Sequence, residues 1–151
     1  MGKLSATFTR LRDVIRAGHA DDFEAIVGTL RTPFDAVEAG DLGRSGLTCL
    51  IGLTADAPAV LSGAAKRVIS QAAFSIFIVA MFEGRTGTDE EDILVQLLDT
   101  ADSVVETIQD GSRTAATNYI VATVDQVNTI YDVDGNYAAI EIQVTANILR
   151  A

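Results

Sequence analysis

The most apolar run of the chain, Ala72–Phe82, predicts a buried strand. Apolar residues occupy both odd and even positions of this run, so both faces of the strand need a covering layer, as in the middle of a sheet. We extend the predicted strand back to Lys66 and expect its more polar half, Lys66–Gln71, to project beyond the core. The apolar run is too short to span a bilayer as a helix.

An amphipathic helix is predicted to follow this strand, after a turn at Gly84–Gly87. Thr88 and Glu91 have the spacing of a capping box, which marks a helix start. Gly111 is the expected C-terminal stop. Apolar residues recur at spacings of three and four, which predicts a buried stripe of Leu94, Leu97, Leu98, Ala101, Val104, Val105 and Ile108.

The N-terminal part of the chain predicts two helices. The first is amphipathic and is expected to end at Gly18. Its apolar stripe consists of Leu4, Phe8, Leu11 and Ile15. The second, weaker helix is predicted over Asp21–Leu30, with Asp22 as its cap. Its stripe would consist of Phe23, Ile26, Val27 and Leu30.

The stretch between these helices and the long strand mixes irregular segments with one short strand. Thr32–Ser45 holds proline, glycine and acidic residues, and we expect it to be irregular with a short strand near Ala36–Glu38. Leu47–Leu53 is short and apolar, which predicts a strand. Thr54–Ala65 contains Pro58 and a glycine, and we expect a loop there.

Two strands are predicted to close the chain. Tyr137–Leu149 alternates between apolar and polar residues, while Tyr119–Asp132 is strand-like but less regular. Asp132–Asn136 contains an Asp-Gly pair, a strong hairpin signal. The register stays open, because pairing Ile130 with Ile140 would need a connection other than a two-residue turn.

This element order predicts one α+β domain, a mainly antiparallel sheet of about four to five strands with helices packed against it. A chain of 151 residues suits a single domain with its own core. The formal net charge is −10. Such a surface repels nucleic acid unless basic residues gather on one face. Composition alone favours a role in solubility over a surface that sits near DNA without binding it.

The sequence offers little that points to catalysis, and we predict no catalytic, cofactor or metal site. His19 is the only histidine, and we expect it to be a solvated residue at a helix end. Cys49 is the only cysteine, which excludes an internal disulfide, and its apolar neighbours predict a buried side chain. The acidic stretch from Asp132 resembles the start of a calcium loop, but its twelfth position is Gln143 instead of glutamate.

The segment Met1–Arg12 carries charges and no apolar core, so we expect no signal peptide. We therefore expect a soluble protein made in a reducing cytoplasm. The single cysteine agrees with this expectation, because proteins of a reducing cytoplasm rarely contain disulfides.

Charged residues are distributed unevenly along the chain. Basic candidates for an interface are Arg12 and Arg16 on the first helix and Lys66 and Arg67 at the start of the long strand. Acidic candidates lie on the helix after the long strand: Asp89, Glu90, Asp92, Asp99, Asp102 and Glu106. One interpretation is ordinary surface charge. The other is subunit assembly, with the basic part of one copy meeting the acidic part of the next.

Several of these segments together resemble the tail terminator, or tail-completion, family of long-tailed bacteriophages, including the minor tail protein U type and the Mu-like prophage type. The resembling segments are the N-terminal helix, Leu47–Gly52, Ala73–Ala80, the Gly84–Thr88 loop, the Glu91–Ile108 helix and the hairpin that ends in Tyr137–Val144. The poorest match is Asp21–Gly46. The resemblance spans nearly the whole chain and is one of element order and apolar runs.

The resemblance implies a hexameric ring in the virion neck that caps the tail tube, ends its growth and joins it to the head connector. Its partners would be further copies, the tube protein and a head-completion or connector protein, without a membrane. DNA would pass through without specific binding, and the acidic residues would line either the lumen or a subunit interface. Two alternatives stay open: another neck or tube component, and a small ligand-binding or enzyme-accessory domain.

Overall fold

The computed structural model describes residues 3–30, 35–36, 46–54, 60–64, 67–81, 87–113, 121–132 and 137–150. These residues form two long helices and six strands. In chain order the elements are α1 (Lys3–His19), β1 (Ala25–Gly28), β2 (Leu47–Leu53), β3 (Val60–Ala64), β4 (Arg67–Met81), α2 (Gly87–Arg113), β5 (Val121–Asp132) and β6 (Tyr137–Arg150).

The strands form one mixed sheet in the order β1-β2-β4-β6-β5, and β3 pairs with the first part of β4. Every described pairing is antiparallel except that of β1 with β2. The predicted α+β class and mainly antiparallel sheet are therefore confirmed. The described part of the sheet has one strand more than expected, because Val60–Ala64 pairs with β4 instead of forming a loop.

Strand β4 lies in the middle of the sheet, as its apolar run predicted, between β2 and β6. Ile76 and Ile78 belong to the larger core cluster on one face, while Phe77 and Val79 belong to a second cluster on the other. The helices cover the first face, since Ile15 of α1 and Val104 of α2 lie in the larger cluster. Phe82 and Lys66 lie outside the described residues.

The predicted second helix over Asp21–Leu30 is wrong: this stretch turns and then forms β1. Ala25–Gly28 pairs in parallel with Thr48–Ile51 of β2. Phe23 and Ile26 are buried, as either structure would allow, but Val27 is exposed. Adjacent β-branched residues favour a strand, and pairing with β2 stabilises that choice over a weak helical pattern.

Two further predictions for the first half need correction. Asp35 and Ala36 are helical, so the short strand near Ala36–Glu38 does not begin at Ala36; the rest of Thr32–Ser45 lies outside the described residues. In the predicted loop Thr54–Ala65, the strand Val60–Ala64 forms despite Gly63, because it pairs with Arg67–Gln71 of β4. A partner strand thus overrides the weak local signal.

The helix ends differ from the predicted ones by one or two residues. Helix α1 continues through Gly18 to His19, and α2 continues through Gly111 to Arg113. Helix α2 begins at Gly87, so Thr88 already lies inside it and the predicted Thr88–Glu91 box does not mark the start. Capping patterns locate helix ends only to within about one or two residues.

The closing hairpin has a definite register. Ile130 pairs with Ala139, not with Ile140, and Asp132 pairs with Tyr137. The register shifts at Asp125, where a bulge interrupts the pairing of β5 with β6. The bulge changes which β5 side chains face the helices. The connecting residues 133–136, with their Asp-Gly pair, lie outside the described residues.

Helix α2 buries a narrower stripe than its sequence predicted. The buried residues are Leu97, Ala101, Val104 and Ile108. Leu94 and Leu98, which the spacing also assigned to the core, are exposed together with Val95. Leu94 and Leu98 lie about 60° and 100° around the helix axis from Leu97, and Val95 lies about 160° from it. These three side chains form an apolar surface that the fold does not use.

Candidate functional site

His19 is buried in a hydrogen-bonded link between the two helices. Its side chain is 3% exposed, which corrects the prediction of a solvated histidine. Nδ1 lies 2.9 Å from Asp22 Oδ2, and Nε2 lies 2.7 Å from Thr107 Oγ1 on α2. The ring also meets Phe23 edge-on, at 6.2 Å between centroids. No periodicity marked this residue, because its partner Thr107 is distant in sequence.

The protons in this link can be arranged in two consistent ways. Thr107 Oγ1 lies 2.9 Å from the carbonyl oxygen of Ser103 as well as near His19 Nε2. The hydroxyl has one proton. In the first arrangement the Thr107 hydroxyl donates to Nε2 of a neutral imidazole. In the second, the hydroxyl donates to the Ser103 carbonyl and accepts a hydrogen bond from Nε2–H of a protonated imidazole. In both arrangements Nδ1–H donates to the Asp22 carboxylate.

The order carboxylate, imidazole, hydroxyl is that of a catalytic triad, but the surroundings do not suit catalysis. A nucleophile must reach a substrate atom, whereas the imidazole here is covered and lies between two helices. Gly18 allows this close approach, because a Cβ at Gly18 would lie 3.2 Å from Thr107 Cγ2. We therefore assign His19 and Thr107 to the joint between α1 and α2.

Cys49 also belongs to the core, as its apolar neighbours predicted. It is fully buried in the larger cluster. Burial raises the pKa of its thiol to about 12, because the thiolate would lose its hydration. The described residues contain no cluster of three or more metal-ligating side chains. His19 joins the two helices and Cys49 packs in the core, so both side chains support the fold.

The four basic candidates do not come together as one described site. Arg16 donates two hydrogen bonds, at 3.2 and 2.8 Å, to the carbonyl oxygen of Ile26 in β1. Arg12 lies over the ring of Phe8, 5.7 Å from its centroid, and pairs with Asp13 at 3.4 Å. Arg67 starts β4, and its side chain, like the whole of Lys66, lies outside the described residues. Arg16 therefore holds α1 to the sheet edge, while Arg12 stays near the surface.

The acidic candidates form an outward surface along α2. Asp92, Asp99 and Glu106 follow one another at intervals of seven residues, so they lie along one line of the helix, and all three are exposed. Glu90 and Asp102 are exposed too. The side chain of Asp89 lies outside the described residues. These acids take part in neither of the ion pairs that join Arg12 to Asp13 and His19 to Asp22.

A shallow apolar groove lies beside β1, at one edge of the sheet. We call it the edge groove; it encloses 340 Å³ and is lined by Phe8, Gly28, Thr29, Leu30, Ile51, Gly52 and Leu53. Leu53 is 70% exposed and Leu30 is fully exposed, although both are large apolar residues. The Phe8 ring lies on Gly28, where a Cβ would be 2.5 Å from its Cζ.

The second unused apolar surface is on α2, and we call Leu94, Val95 and Leu98 the α2 patch. These residues are 40%, 51% and 49% exposed. They lie at spacings of one, three and four, so they form one contiguous surface on the helix. Glu91 precedes the patch and Asp102 follows it, each three or four residues from a patch residue, and both are exposed. The α2 patch is thus apolar with an acidic border.

The edge groove and the α2 patch lie toward opposite edges of the sheet. The edge groove adjoins β1, and α2 packs over β4, β5 and β6, with β5 at the far edge. Thr107 marks the side of α2 that faces α1. Leu98 is nine residues before Thr107, about two and a half turns, and therefore points the opposite way. The α2 patch accordingly faces away from α1.

The sheet face away from the helices is polar along part of β5 and β6. Asn128 and Gln143 donate to Glu141 Oε1, each at 3.0 Å, and Thr145 bonds to Asp125. These groups satisfy one another across the two strands. This part of the face is less suited to an apolar contact than the edge groove or the α2 patch.

Comparison with known proteins does not assign the chain to a class or to a particular protein: no family model matches it, and no curated protein is significantly similar to it. Within the described chain, neither helix combines the length and the apolar character needed to traverse a membrane.

Proposed function

We propose that this chain is a structural subunit that assembles with copies of itself into a ring, and that the ring caps a bacteriophage tail tube. The observation that carries the proposal is the placement of two exposed apolar surfaces toward opposite edges of one sheet. A single self-complementary patch leads to a closed dimer, whereas two different surfaces allow a repeated head-to-tail contact, which forms a ring when the rotation between neighbouring copies closes. Exposed apolar patches of this kind commonly mark interfaces.

The virion setting of the proposal rests on the sequence resemblance described above. In that setting a ring of about six copies, as the resemblance implies, would sit on the last ring of the tube, end its elongation and meet the head connector. DNA would pass its lumen, and the acidic line of Asp92, Asp99 and Glu106 would repel the phosphates wherever it faced that lumen. The proposal assigns no catalytic step to the chain.

A small ligand-binding domain is the second candidate, and one observation favours it. The edge groove encloses 340 Å³, near the lower end of the range of about 300–1,000 Å³ for small-molecule pockets. Its lining is almost entirely apolar, however, and Thr29 is the only lining side chain with a hydrogen-bonding group. Specific pockets combine an apolar wall with several placed polar groups. The groove therefore suits an apolar surface better than a specific small molecule.

Sedimentation velocity over a wide concentration range tests the proposal directly. We expect association with increasing concentration toward a discrete ring that electron microscopy of the same sample can image. The ring should cosediment with purified tail tubes and block further addition of tube protein. A strict monomer at all concentrations, with no association with tubes, would contradict the proposal.

Reversing basic residues tests the role of charge in assembly, and the structure determines which residues to use. Arg16 holds α1 to Ile26, so reversing it would also damage the fold. Arg10 and Arg12 lie on the outer part of α1 and are better choices. Arg10→Glu with Arg12→Glu should weaken assembly at low salt and lose that effect at high salt, since salt screens exposed charges. Assembly that is insensitive to both changes would argue against a charged contact.

A further inference from the structure

We infer that the α2 patch of one copy docks into the edge groove of the next copy, so that the assembly is built from one repeated contact between these two surfaces. This inference rests on the proposed function, because it needs a second copy of the chain as the partner. It adds the identity of the two surfaces and the direction of assembly. It also makes each surface separately testable.

The shapes of the two surfaces are complementary. The α2 patch is a convex ridge on a helix, made of Leu94, Val95 and Leu98. The edge groove is an open apolar trough between α1 and the first two strands, with Leu30 and Leu53 at its exposed rim. An apolar helix face lying in an apolar groove is a common mode of protein recognition. Both surfaces lose their contact with water in the same step.

The charges around the two surfaces are opposite in sign. Helix α1, which lines the groove through Phe8, carries four basic residues and one acid. The guanidinium of Arg12 lies over the Phe8 ring, directly beside the groove. Helix α2 carries eight acids and one arginine, and two of these acids, Glu91 and Asp102, border the patch. Docking in this orientation therefore brings opposite charges together at the border of an apolar contact.

The α2 patch cannot contact the edge groove of its own chain. They face opposite edges of the sheet, and Leu98 points away from α1, which lines the edge groove. The α2 patch can reach an edge groove only on another copy. A contact of this kind is heterologous, so every copy can donate its patch to one neighbour and accept a patch from the other.

Two variants that each disable one surface give the decisive experiment. Leu98→Asp places a carboxylate in the α2 patch and leaves the edge groove intact, while Leu53→Asp does the reverse. Both positions are exposed, so both variants should keep the wild-type circular dichroism and unfolding midpoint. Gln96→Asp is the matched control, because it adds the same charge to an exposed position of α2 about 160° around the helix from Leu98.

We expect each variant alone to be monomeric and an equal mixture of the two to form a dimer and nothing larger. The intact groove of Leu98→Asp accepts the intact patch of Leu53→Asp, and the two remaining surfaces of that dimer are both disabled. Analytical ultracentrifugation of the separate and mixed samples measures this. Gln96→Asp should assemble as the wild type does.

Other outcomes overturn the inference in recognisable ways. If Leu98→Asp is monomeric while Leu53→Asp assembles normally, the patch pairs with something other than the groove. If both variants are monomeric and their mixture stays monomeric, the surfaces do not pair with each other. Normal assembly of both variants removes the inference but leaves the ring proposal standing. A monomeric wild type, in contrast, contradicts the proposed function itself.

Discussion

Helices α1 and α2 pack side by side on one face of the sheet, yet they use their charged and polar residues in different ways. On α1, Arg16 bonds to the backbone of β1, and His19 bonds to Asp22 and to α2. On α2, the acidic line of Asp92, Asp99 and Glu106 faces solvent. Folding thus employs Arg16 and His19 of α1, while the acidic line of α2 is left for solvation or for a partner.

The same contrast holds for the apolar residues of the two helices. Leu11 and Ile15 of α1 are buried, whereas Leu94 and Leu98 of α2 are exposed although they continue its apolar stripe. Surplus apolar residues on a helix do not stabilise the monomer. We therefore expect substitutions on α1 to affect mainly the free energy of unfolding, and substitutions on the outer side of α2 to affect mainly association.

The largest effect on stability is expected for His19→Ala. The substitution removes a buried ring and its hydrogen bonds to Asp22 and to Thr107 of α2, which should lower the free energy of unfolding by about 2–4 kcal/mol. Urea unfolding followed by circular dichroism measures this. Asp22→Ala removes only the exposed partner and should cost less than about 1 kcal/mol. Equal losses in the two variants would mean that the joint depends on the ion pair and not on the buried ring.

The second largest effect on stability is expected for Arg16 of α1, in comparison with Arg12. Arg16→Met keeps most of the aliphatic stem but loses two hydrogen bonds to Ile26, and should cost about 1–2 kcal/mol. Arg12→Met loses a largely exposed pair with Asp13 and should cost about 0.5 kcal/mol. The two substitutions are chemically identical, so their difference in urea midpoint compares the contact of Arg16 with β1 with the contacts of Arg12 with Asp13 and Phe8. A larger loss at Arg12 would reverse the assigned roles.

The buried thiol of Cys49 reports whether α1 and the sheet stay together. Burial raises its pKa from 9.0 to about 12, and in the unfolded chain it titrates near the lower value. The thiol stays protonated to a higher pH in the folded state than in the unfolded chain. Its contribution to the free energy of unfolding is therefore fully present below pH 9 and is lost as the pH rises toward 12. Unfolding midpoints across this range should decline more steeply in the wild type than in Cys49→Ala.

Chemical labelling of the Cys49 thiol tests whether α1 and α2 contribute differently to the stability of the core. At pH 8 a disulfide reagent should react with Cys49 only after local opening of the core, far more slowly than with the unfolded chain. Arg16→Met should speed this reaction, because it loosens α1 from β1. Neutralising the outer acids of α2 should not change it. Equal acceleration by both changes would show that the two helices contribute alike to the core.

Much of the fold follows from patterns within single segments, and the exceptions depend on distant partners. Ala72–Phe82 and Tyr137–Leu149 were predicted because their side-chain patterns already encode a strand with known faces. Val60–Ala64 could not be predicted, because its stability as a strand comes from pairing with β4. The residues from Asp21 to Leu30 show the same dependence, since β2 selects a strand where a weak pattern suggested a helix.

The candidate site was predictable only in part. The outward acids of α2 follow from helical spacing, and their exposure is confirmed for Glu90, Asp92, Asp99, Asp102 and Glu106. The burial of His19 depends on Thr107, far along the chain, and no local signal could have revealed it. The α2 patch was hidden for a different reason: Leu94 and Leu98 fit the predicted stripe, and only the width of the contact with the sheet decides whether they remain exposed.

The smallest effect on stability, and the one that best isolates association, is expected for Asp99→Asn combined with Glu106→Gln. Both carboxylates are exposed, so the unfolding midpoint should change little. Assembly at low salt should weaken, because a basic α1 of the neighbouring copy loses its attraction. The matched control, Asp13→Asn with Asp21→Asn, makes the same change in net charge on or beside α1. It should leave assembly unchanged or strengthen it, because the basic side becomes more basic. If both pairs shift assembly in the same direction, net charge alone governs association and the opposite charges of the two helices play no directed part.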